Sequence, residues 1–450
     1  MAIGLEDIKV IQTAQWAAGP MCGRLLADWG ADVIFIEHPT KGDVIRGIRD
    51  RAFNVQQVMV GRRISTNIDH GHQHANRNKR SVTLDLSQEA GREIVYKLLA
   101  EADVFVTNLR PFEMERFKLE YDTLSQLNPR LIYGSLTGFG KKGPDRNNPA
   151  YDVTAYWTRA GIPYVLSTTG MPGPGFRPAF GDNLAGVALA FGIMTALFVR
   201  ERTGVGQEVD LSLLHAGIYQ ISFDIAGALA TGLDFREEMA RRREELRKEQ
   251  GEEQDEERVK LRDKLVAEAE AAVAGLSSLM RGNMPNPLAI YYDTKDGRRI
   301  LFQALQPDRY WSRFCRAIGR EDLEHDPRFD SMMTRRENSA ELTSILDEVF
   351  LSKTLDEWKP LLGEIPWAPA QTILEVINDP QARANDFFVR FDHPTYGRIE
   401  VIANPVKLSK NPASVRLPAP EHGQHTEEVL LEYGYTWEDI VQFKEQGVIA

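Results

Sequence analysis

The chain has 450 residues, of which 42% are hydrophobic and 26% are charged, and this length has room for two or three domains and a large buried core. Acidic residues number 65 and basic residues 54, and a net negative charge repels phosphate polymers, which argues against nucleic-acid binding. No stretch is expected to supply the ~20 apolar residues of a membrane helix. The two cysteines, Cys22 and Cys315, suit a reducing, cytoplasmic compartment.

Short β-branched runs alternate with amphipathic helical patterns along residues 1–215. Strands are predicted at Lys9–Thr13, Asp32–Glu37, Ser81–Leu86, Asp103–Thr107 and Leu131–Leu136. Helices are predicted at Pro20–Trp29 and from a Ser87 cap to Ala100. Strands that alternate with helices predict parallel βαβ units with helices on both faces. The expected fold class is therefore α/β, with an open, parallel, Rossmann-like sheet.

The pattern changes after Gly181, where a long small-and-apolar run predicts a core helix. Residues 236–268 carry dense charges of both signs, which favours a solvated helix or helical hairpin over a disordered tail or a partner-binding arm. Within Tyr291–Leu305, an Asp-Gly pair between two strand-like runs predicts a hairpin. A strand at Arg398–Ala403 and a helix at Thr426–Tyr433 follow.

Residues 138–143 match the GxGxxG pattern and follow a predicted strand. The next six residues include two prolines, so no helix N-terminus is available for a pyrophosphate, and nicotinamide or flavin binding is not expected. The same loop carries Lys141, Lys142 and Arg146, which suit an anionic group such as a nucleotide phosphate.

The other polar motifs allow fewer conclusions. His70, His72 and His74 would lie on one side of a strand, but a polar surface loop is the simpler interpretation, and no metal is assigned. No GxSxG motif is present and neither cysteine has a catalytic setting, so hydrolase chemistry lacks support.

Asp182 is the most informative carboxylate, because it follows Gly181 at the start of the small-residue helix. Two interpretations are open from the local sequence. Asp182 is either a helix N-cap or a nucleophile that the helix N-terminus keeps ionised, beside a glycine that lets a substrate approach.

Several separated motifs resemble the class III CoA-transferases, a family that includes formyl-CoA:oxalate, carnitine and bile-acid enzymes and is related to the α-methylacyl-CoA racemases. The matching segments cover nearly the full length in the family's order: Ala17–Arg46, Asn78–Leu86, Ala102–Pro111, Leu127–Pro144, residues 149–152 (PAYD) and 180–182 (FGD), and Arg202–Leu214. The resemblance implies an enzyme of the EC 2.8.3 type that moves CoA from an acyl-CoA thioester to a free carboxylic acid through anhydride and enzyme aspartyl-CoA thioester intermediates. Coenzyme A is then a substrate, and no permanently bound cofactor is expected.

The resemblance also implies the domain organisation. A large α/β domain is expected at 1–215 and 370–450, a linker with the charged helical segment at 216–284, a small α+β domain at 285–330 and a second linker at 331–369. Members form interlocked dimers, so the expected partner is a second copy or a related subunit.

The family's catalytic carboxylate lies in a Gly-Asp pair before a small-residue helix, so the resemblance favours Asp182 as the nucleophile. It implies CoA contacts at a further set of positions: Ala18 by the pantetheine, Leu84 and Asp85 near the adenine, Asn108, Leu109 and Arg110 in a loop after a strand, and Arg116 at a phosphate. His38 stands where members often carry arginine, which leaves Lys142 or Arg146 as a substitute phosphate contact.

Departures from the family bear on the substrate and on two alternative functions. The glycine-rich lid of the formyl-CoA enzyme is absent, which argues against acids of one or two carbons. Aromatic residues near the family's active-site segments hint at a bulky or aromatic acyl group, although such clusters are more often core: Trp16, Tyr156, Trp157, Tyr164, Phe176 and Phe180. An acyl-CoA racemase would carry histidine before Asp152, where this chain has Tyr151, a poor base at neutral pH. A non-catalytic subunit would lack the Gly-Asp pair, which is present.

Overall fold

The computed structural model describes residues 4–47, 69–166, 177, 179–234, 237–238, 241 and 286–450. The chain divides into two compact units, the first formed by Met1–Arg243 and Gln381–Ala450 and the second by Glu244–Pro380. Nearly all of the predicted charged helix at 236–268, and also Phe176, lie outside the described residues.

The strands and helices follow one another along the chain as predicted in outline. The strands are β1 (Lys9–Gln12), β2 (Asp32–Glu37), β3 (Lys79–Thr83), β4 (Val104–Thr107), β5 (Ile132–Thr137), β6 (Glu208–Ser212), β7 (Tyr291–Asp293), β8 (Arg299–Phe302), β9 (Trp367–Pro369), β10 (Phe388–His393) and β11 (Gly397–Ile402). The α-helices are α1 (Ala18–Asp28), α2 (His70–Asn76), α3 (Glu89–Ala100), α4 (Pro111–Phe117), α5 (Tyr121–Leu127), α6 (Ile162–Leu166), α7 (Phe180–Thr203), α8 (Leu213–Gln220), α9 (Ser222–Thr231), α10 (Pro307–Ala317), α11 (Met332–Glu337), α12 (Ser339–Leu351), α13 (Leu355–Leu362), α14 (Ile373–Asn378), α15 (Pro380–Ala384), α16 (Thr426–Glu432) and α17 (Trp437–Glu445). Short 3₁₀ turns lie at Val44–Gly47 and Glu321–Leu323, and a π-helical segment lies at Val153–Arg159.

A six-stranded parallel sheet in the order β3-β2-β1-β4-β5-β6 forms the centre of the first unit. Ile11 of β1 pairs with Ile34 of β2 on one side and with Phe105 of β4 on the other. Neighbouring residues of a strand face opposite sides of a sheet, and Val10 and Ile11 accordingly belong to different apolar cores. The first core includes residues of α1 and α7, and the second includes residues of α3, α16 and α17. The predicted parallel α/β sheet is confirmed.

Helix α7 is the apolar helix that the sequence predicts after Gly181. A Cβ atom on Gly186 would lie 2.7 Å from Cβ of Met21 and 2.8 Å from the carbonyl oxygen of Ala18, so α7 and α1 are in close contact. By length and composition α7 is apolar enough to cross a membrane, and 39% of its most apolar stretch is buried in the fold. The bent pair α8 and α9 passes the same test together. The expectation that no stretch approaches the length of a membrane helix is therefore wrong, although the contact with α1 gives α7 the role of a core helix.

Two local predictions in the first unit are wrong. Ser87 does not cap α3, because its hydroxyl donates to Asp85 and the helix begins two residues later. The three histidines lie on helix α2 rather than in a surface loop, and the buried ring of His72 bonds to the Pro420 carbonyl oxygen at 3.2 Å and to the Asn76 amide at 3.1 Å. Among the described residues, no group of three His, Cys, Asp or Glu residues is arranged to hold a metal ion.

The second unit has a three-stranded antiparallel sheet in the order β7-β8-β9. The predicted hairpin is confirmed, since β7 and β8 pair around the turn that contains Gly297. Residues 331–369 are not a linker: Leu342, Leu346 and Phe350 of α12 repeat at helical spacing, and all three are fully buried in the core of this unit. The first unit resumes at Gln381 rather than at residue 370.

Candidate active site

The order of the parallel strands places a crevice at the carboxyl ends of β1 and β4. From β1 the chain first builds the sheet through β2 and β3, then returns to β4 on the opposite side of β1. Ligands of open α/β sheets bind at such a switch point. Asn108, just after β4, bridges the crevice: its side-chain oxygen accepts from the Gln15 N–H at 3.0 Å, and its amide donates to the Gln15 carbonyl oxygen at 2.8 Å.

Asp182 lies in the first turn of α7 and is half-buried. Ala179 occupies the N-cap position in the left-handed region, with φ of 62°. Asp182 itself is therefore not the N-cap, and that interpretation of its role is wrong.

The buried carboxylate at the N-terminus of α7 belongs to Asp152. Its Oδ1 and Oδ2 atoms accept from the Gly181 N–H at 3.1 and 3.3 Å, and its side chain is buried. Asp152 immediately precedes the π-helical segment Val153–Arg159, a geometry that is frequent at functional sites. Asp152 therefore satisfies a helix N–H group and brings a second carboxylate beside Asp182.

Gly181 is required by the atoms packed beneath it. A Cβ atom there would lie 2.3 Å from Cγ of Tyr156 and 2.5 Å from Oδ1 of Asp152. The space that a side chain would fill is thus occupied by the protein itself. The prediction that this glycine lets a substrate approach is not what its surroundings indicate. The lack of a side chain instead lets Tyr156 and Asp152 pack against the backbone.

Both carboxyl groups have raised pKa values. Burial, followed by the charge of Asp152, raises the pKa of Asp182 to about 7. Burial raises the pKa of Asp152 to about 6, against the opposing effect of N–H groups from Gly181, Phe180 and Ala179. The helix N-terminus therefore does not hold the pKa of Asp182 at the usual value for an aspartate. The two carboxyl groups together change their charge near neutral pH.

Aromatic side chains flank this pair of carboxyl groups. Trp16 contacts Tyr151 edge-on, with ring centroids 5.8 Å apart, and Tyr151 directly precedes Asp152. The ring centroids of Trp157 and Phe180 are 5.3 Å apart, and Phe180 directly precedes Gly181.

The six aromatic residues singled out in the sequence differ in exposure. Tyr156 and Trp157 are buried core residues, and the Tyr164 hydroxyl donates to Asp234 at 2.8 Å. Trp16 is half-buried and Phe180 is exposed, so these two have surface to offer a ligand.

Leu84 and Asp85, the residues expected to contact adenine, follow the carboxyl end of β3, and His38 follows that of the neighbouring β2. Leu84 is buried, and the Asp85 carboxylate accepts from the Ser87 N–H and hydroxyl and from the Gln88 amide. Burial acts to raise the pKa of Asp85, but these bonds and nearby His38 leave it below its usual value. The structure thus brings His38 and Asp85 together.

Of the other residues expected to contact CoA, two pack within the fold and one forms an ion pair. Ala18 is buried in the first turn of α1, and Leu109 packs on the second core of the sheet. Arg110 pairs with Glu113 at 3.1 Å, so its guanidinium is already engaged.

Four further basic residues lie in the segments that follow β4 and β5. Lys141 pairs with Glu208, and Arg146 pairs with Glu115 at 3.2 Å. Arg116 and Lys142 are exposed, and across the ranges that the structure describes neither forms an ion pair. These two cations are therefore available to a phosphate.

Sequence reasoning missed two buried polar residues near the crevice. Four neutral oxygens, on Gln12, Pro20, Ala75 and Asn76, lie 2.8 to 3.0 Å from Nζ of Lys79 and share its N–H groups. Burial holds the pKa of this ammonium well below the usual value. Asp43, also buried, accepts from the Trp16 N–H at 3.1 Å. Both lie within motifs that carry the family resemblance, but only the fold shows what they touch.

Comparison with known proteins agrees with the α/β fold. The sequence model of CoA-transferase family III matches residues 5–250 and 267–426. The chain is 33% identical to the (R)-2-hydroxy-4-methylpentanoate CoA-transferase of Clostridioides difficile, over 99% of both chains. It is 31% identical to the cinnamoyl-CoA:phenyllactate CoA-transferase of Clostridium sporogenes, over 98% of this chain and 95% of that one. The crystal structure of a CAIB/BAIF family protein from Brucella suis superimposes with a TM-score of 0.72 at 26% identity, over 95% of this chain and 98% of that one.

Proposed function

The chain belongs to CoA-transferase family III, and we propose that it moves CoA from an acyl-CoA thioester to a free carboxylic acid with Asp182 as the covalent nucleophile. One observation carries the role of Asp182: a half-buried carboxylate with a pKa raised to about 7 lies beside a second carboxylate at a helix N-terminus. A raised pKa makes a carboxylate more basic and hence a better nucleophile while it is still ionised at neutral pH.

The first half of the reaction loads CoA onto the enzyme. A carboxylate oxygen of Asp182 attacks the thioester carbonyl, the C–S bond breaks, and CoA leaves as a thiolate while a mixed anhydride forms. The thiolate then attacks the Asp182 carbonyl carbon of the anhydride, which releases the donor acid and leaves an aspartyl-CoA thioester.

The second half repeats these steps with the acceptor acid. Its carboxylate attacks the aspartyl thioester to give a second anhydride and a thiolate. The thiolate attacks the acceptor's acyl carbon, which forms the product thioester and regenerates the Asp182 carboxylate. No water, oxidant or external base is consumed.

Asp152 holds the site in place. It binds the Gly181 N–H and therefore fixes the turn that presents Asp182. Its negative charge also contributes to the raised pKa of Asp182. Asp152 is buried, which favours a positioning role over attack on a thioester.

CoA is proposed to lie along the carboxyl edge of the sheet. Arg116 and Lys142 supply exposed positive charges for its phosphates. His38 and Asp85 lie near each other where the adenine is expected. Bound CoA then contributes binding energy away from the reacting atoms.

A bulky acyl group is the proposed substrate. Two relatives act, by name, on 2-hydroxy-4-methylpentanoate and on cinnamoyl and phenyllactate groups, which are branched or aromatic. The aromatic residues beside the carboxyl pair suit such groups. Tyr151 in place of histidine disfavours the alternative of a racemase.

We also propose that the protein works as a dimer. Large apolar side chains are exposed on α7, α8 and α9 of the first unit: Val187, Phe191, Phe198, Tyr219, Phe223 and Leu229. Exposed apolar surface of this kind is typical of an interface.

The Asp182→Asn variant tests the proposed function. It retains the shape of the side chain but removes the nucleophilic oxygen, so transfer from acetyl-CoA, succinyl-CoA or aromatic acyl-CoAs to free acids should fall by several orders of magnitude. Asp224→Asn is the matched control, because Asp224 is the third residue of α9 as Asp182 is of α7. Near-normal turnover of Asp182→Asn would refute the role of Asp182.

A further inference from the structure

Trp16 has an unusual backbone for a large residue. Its φ of 68° lies in the left-handed region, which a bulky side chain rarely adopts and which is energetically unfavourable outside glycine. Such strain persists only where the surroundings enforce it, and it concentrates at binding and catalytic sites.

The surroundings that enforce it are on both sides of the residue. Asp43 accepts from the Trp16 N–H at 3.1 Å, and the same Oδ1 atom accepts from the Ile45 N–H at 3.0 Å. One residue earlier, both backbone groups of Gln15 bond to the side chain of Asn108. The loop from β1 to α1 is thus tied to the loop after β2 and to the loop after β4.

This loop brings the indole to the segment that carries Asp152. The indole meets Tyr151 edge-on at 5.8 Å, and Tyr151 is covalently next to Asp152, which binds the Gly181 N–H. Tyr151 is 58% exposed and Trp16 is half-buried. Trp16 and Tyr151 therefore keep some solvent-exposed surface, unlike Tyr156 and Trp157, which are buried.

We propose that Trp16 is the specificity-determining residue of the enzyme: held in place by Asp43 and Asn108, its indole forms with Tyr151 an aromatic wall on which an aryl or branched-alkyl side chain of the acid packs. This inference rests on the proposed function. It goes further by assigning the choice of acid to one side chain and to the contacts that orient it.

The wall selects by contact area and ring geometry. An aryl group adds offset or edge-to-face contacts with the two rings, whereas a methyl group at the same place leaves them uncovered. Asp43 and Asn108 are positioning residues in this scheme, since they act through Trp16.

The experiment compares two acceptor acids with the acyl-CoA donor that the wild-type enzyme uses fastest. The measured quantity is the ratio of kcat/KM for 3-phenyl-2-hydroxypropanoate to that for 2-hydroxypropanoate. Trp16→Leu should lower this ratio ~3- to 10-fold, the range expected for lost aromatic contacts, and Trp16→Phe should restore most of it. Trp437→Leu is the matched control, because Trp437 is an exposed tryptophan on α17.

Different results would overturn the role of Trp16 and the proposed function. A ratio that stays at the wild-type value in Trp16→Leu, or falls equally in Trp437→Leu, overturns the assignment of Trp16 while transfer itself continues. Failure of the wild-type enzyme to transfer CoA to any acid overturns the proposed function instead. A loss in Trp16→Leu that is equal for both acids also refutes a role in selection, because it points to a general effect on the fold.

Discussion

Gly181→Ala adds one methyl group at the most crowded point of the candidate site. The new Cβ atom would lie 2.3 Å from Cγ of Tyr156 and 2.5 Å from Oδ1 of Asp152, and both partners are buried. Neither can move aside without disturbing the π-helical segment Val153–Arg159 or the bonds from Asp152 to the start of α7.

The size of the effect follows from two opposing terms. Overpacking of this kind costs ~1 to 3 kcal/mol, and alanine in place of glycine in a helix returns up to ~1 kcal/mol. We expect the free energy of unfolding to fall by ~1 to 2 kcal/mol. Turnover should fall more steeply, by ~100-fold, because a displacement of ~1 Å at a catalytic group has that effect.

The assay pairs urea denaturation with CoA transfer at one pH. Gly192→Ala is the control, because it makes the same change within the same helix and its Cβ atom would meet only Cγ1 of Val209, at 2.6 Å. That variant should keep its turnover. If Gly181→Ala transfers CoA as fast as Gly192→Ala does, the packing of Gly181 against Asp152 does not position Asp182.

Four further predictions concern the pH dependence of the rate and of stability, phosphate binding and assembly. Because only ionised Asp182 attacks and its pKa is about 7, kcat/KM for the acyl-CoA should fall about tenfold per pH unit below that value, and a flat profile from pH 8 to 5 would contradict this. The folded pKa of Asp182, about 7, lies above the usual 3.8, so the wild type loses stability as the pH rises from 3.8 to 7 and the full loss is present above pH 7. Asp182→Asn should therefore be more stable than wild type at pH 8, by a difference that shrinks toward pH 4. Arg116→Ala should raise the KM for acyl-CoA ~10-fold or more with little change in kcat, whereas Arg202→Ala, an exposed arginine over the Phe198 ring, should not. Light scattering at micromolar concentration should give twice the chain mass of 50.8 kDa, and a monomer would refute the proposed dimer.

The parallel sheet was predictable because each of its strands is indicated by a short stretch of sequence. Val10, Ile11 and their neighbours form short β-branched runs, and every predicted strand of the first 215 residues overlaps an observed one. The boundary errors have physical reasons too. Residues 331–369 look like a connection between domains, yet Leu342, Leu346 and Phe350 are buried by strands that lie earlier in the chain.

The site was only partly predictable, because its contacts are not local. Asp182 is marked in sequence by its place before a small-residue helix. Asp152 accepts a hydrogen bond from the N–H of Gly181, which lies 29 residues later in the chain at the start of that helix. No local sequence pattern predicts this bond. The π-helical segment and the left-handed backbone of Trp16 likewise depend on partners elsewhere in the fold, such as Asp43.

Trapping the acyl-enzyme identifies the nucleophile. The wild-type protein is incubated with an acyl-CoA and then with hydroxylamine, and the modified peptide is identified by mass spectrometry. We expect a hydroxamate at residue 182 of the wild type and none in the Asp182→Asn variant. A label at Asp152, or steady transfer of CoA with no label on either aspartate, would contradict it.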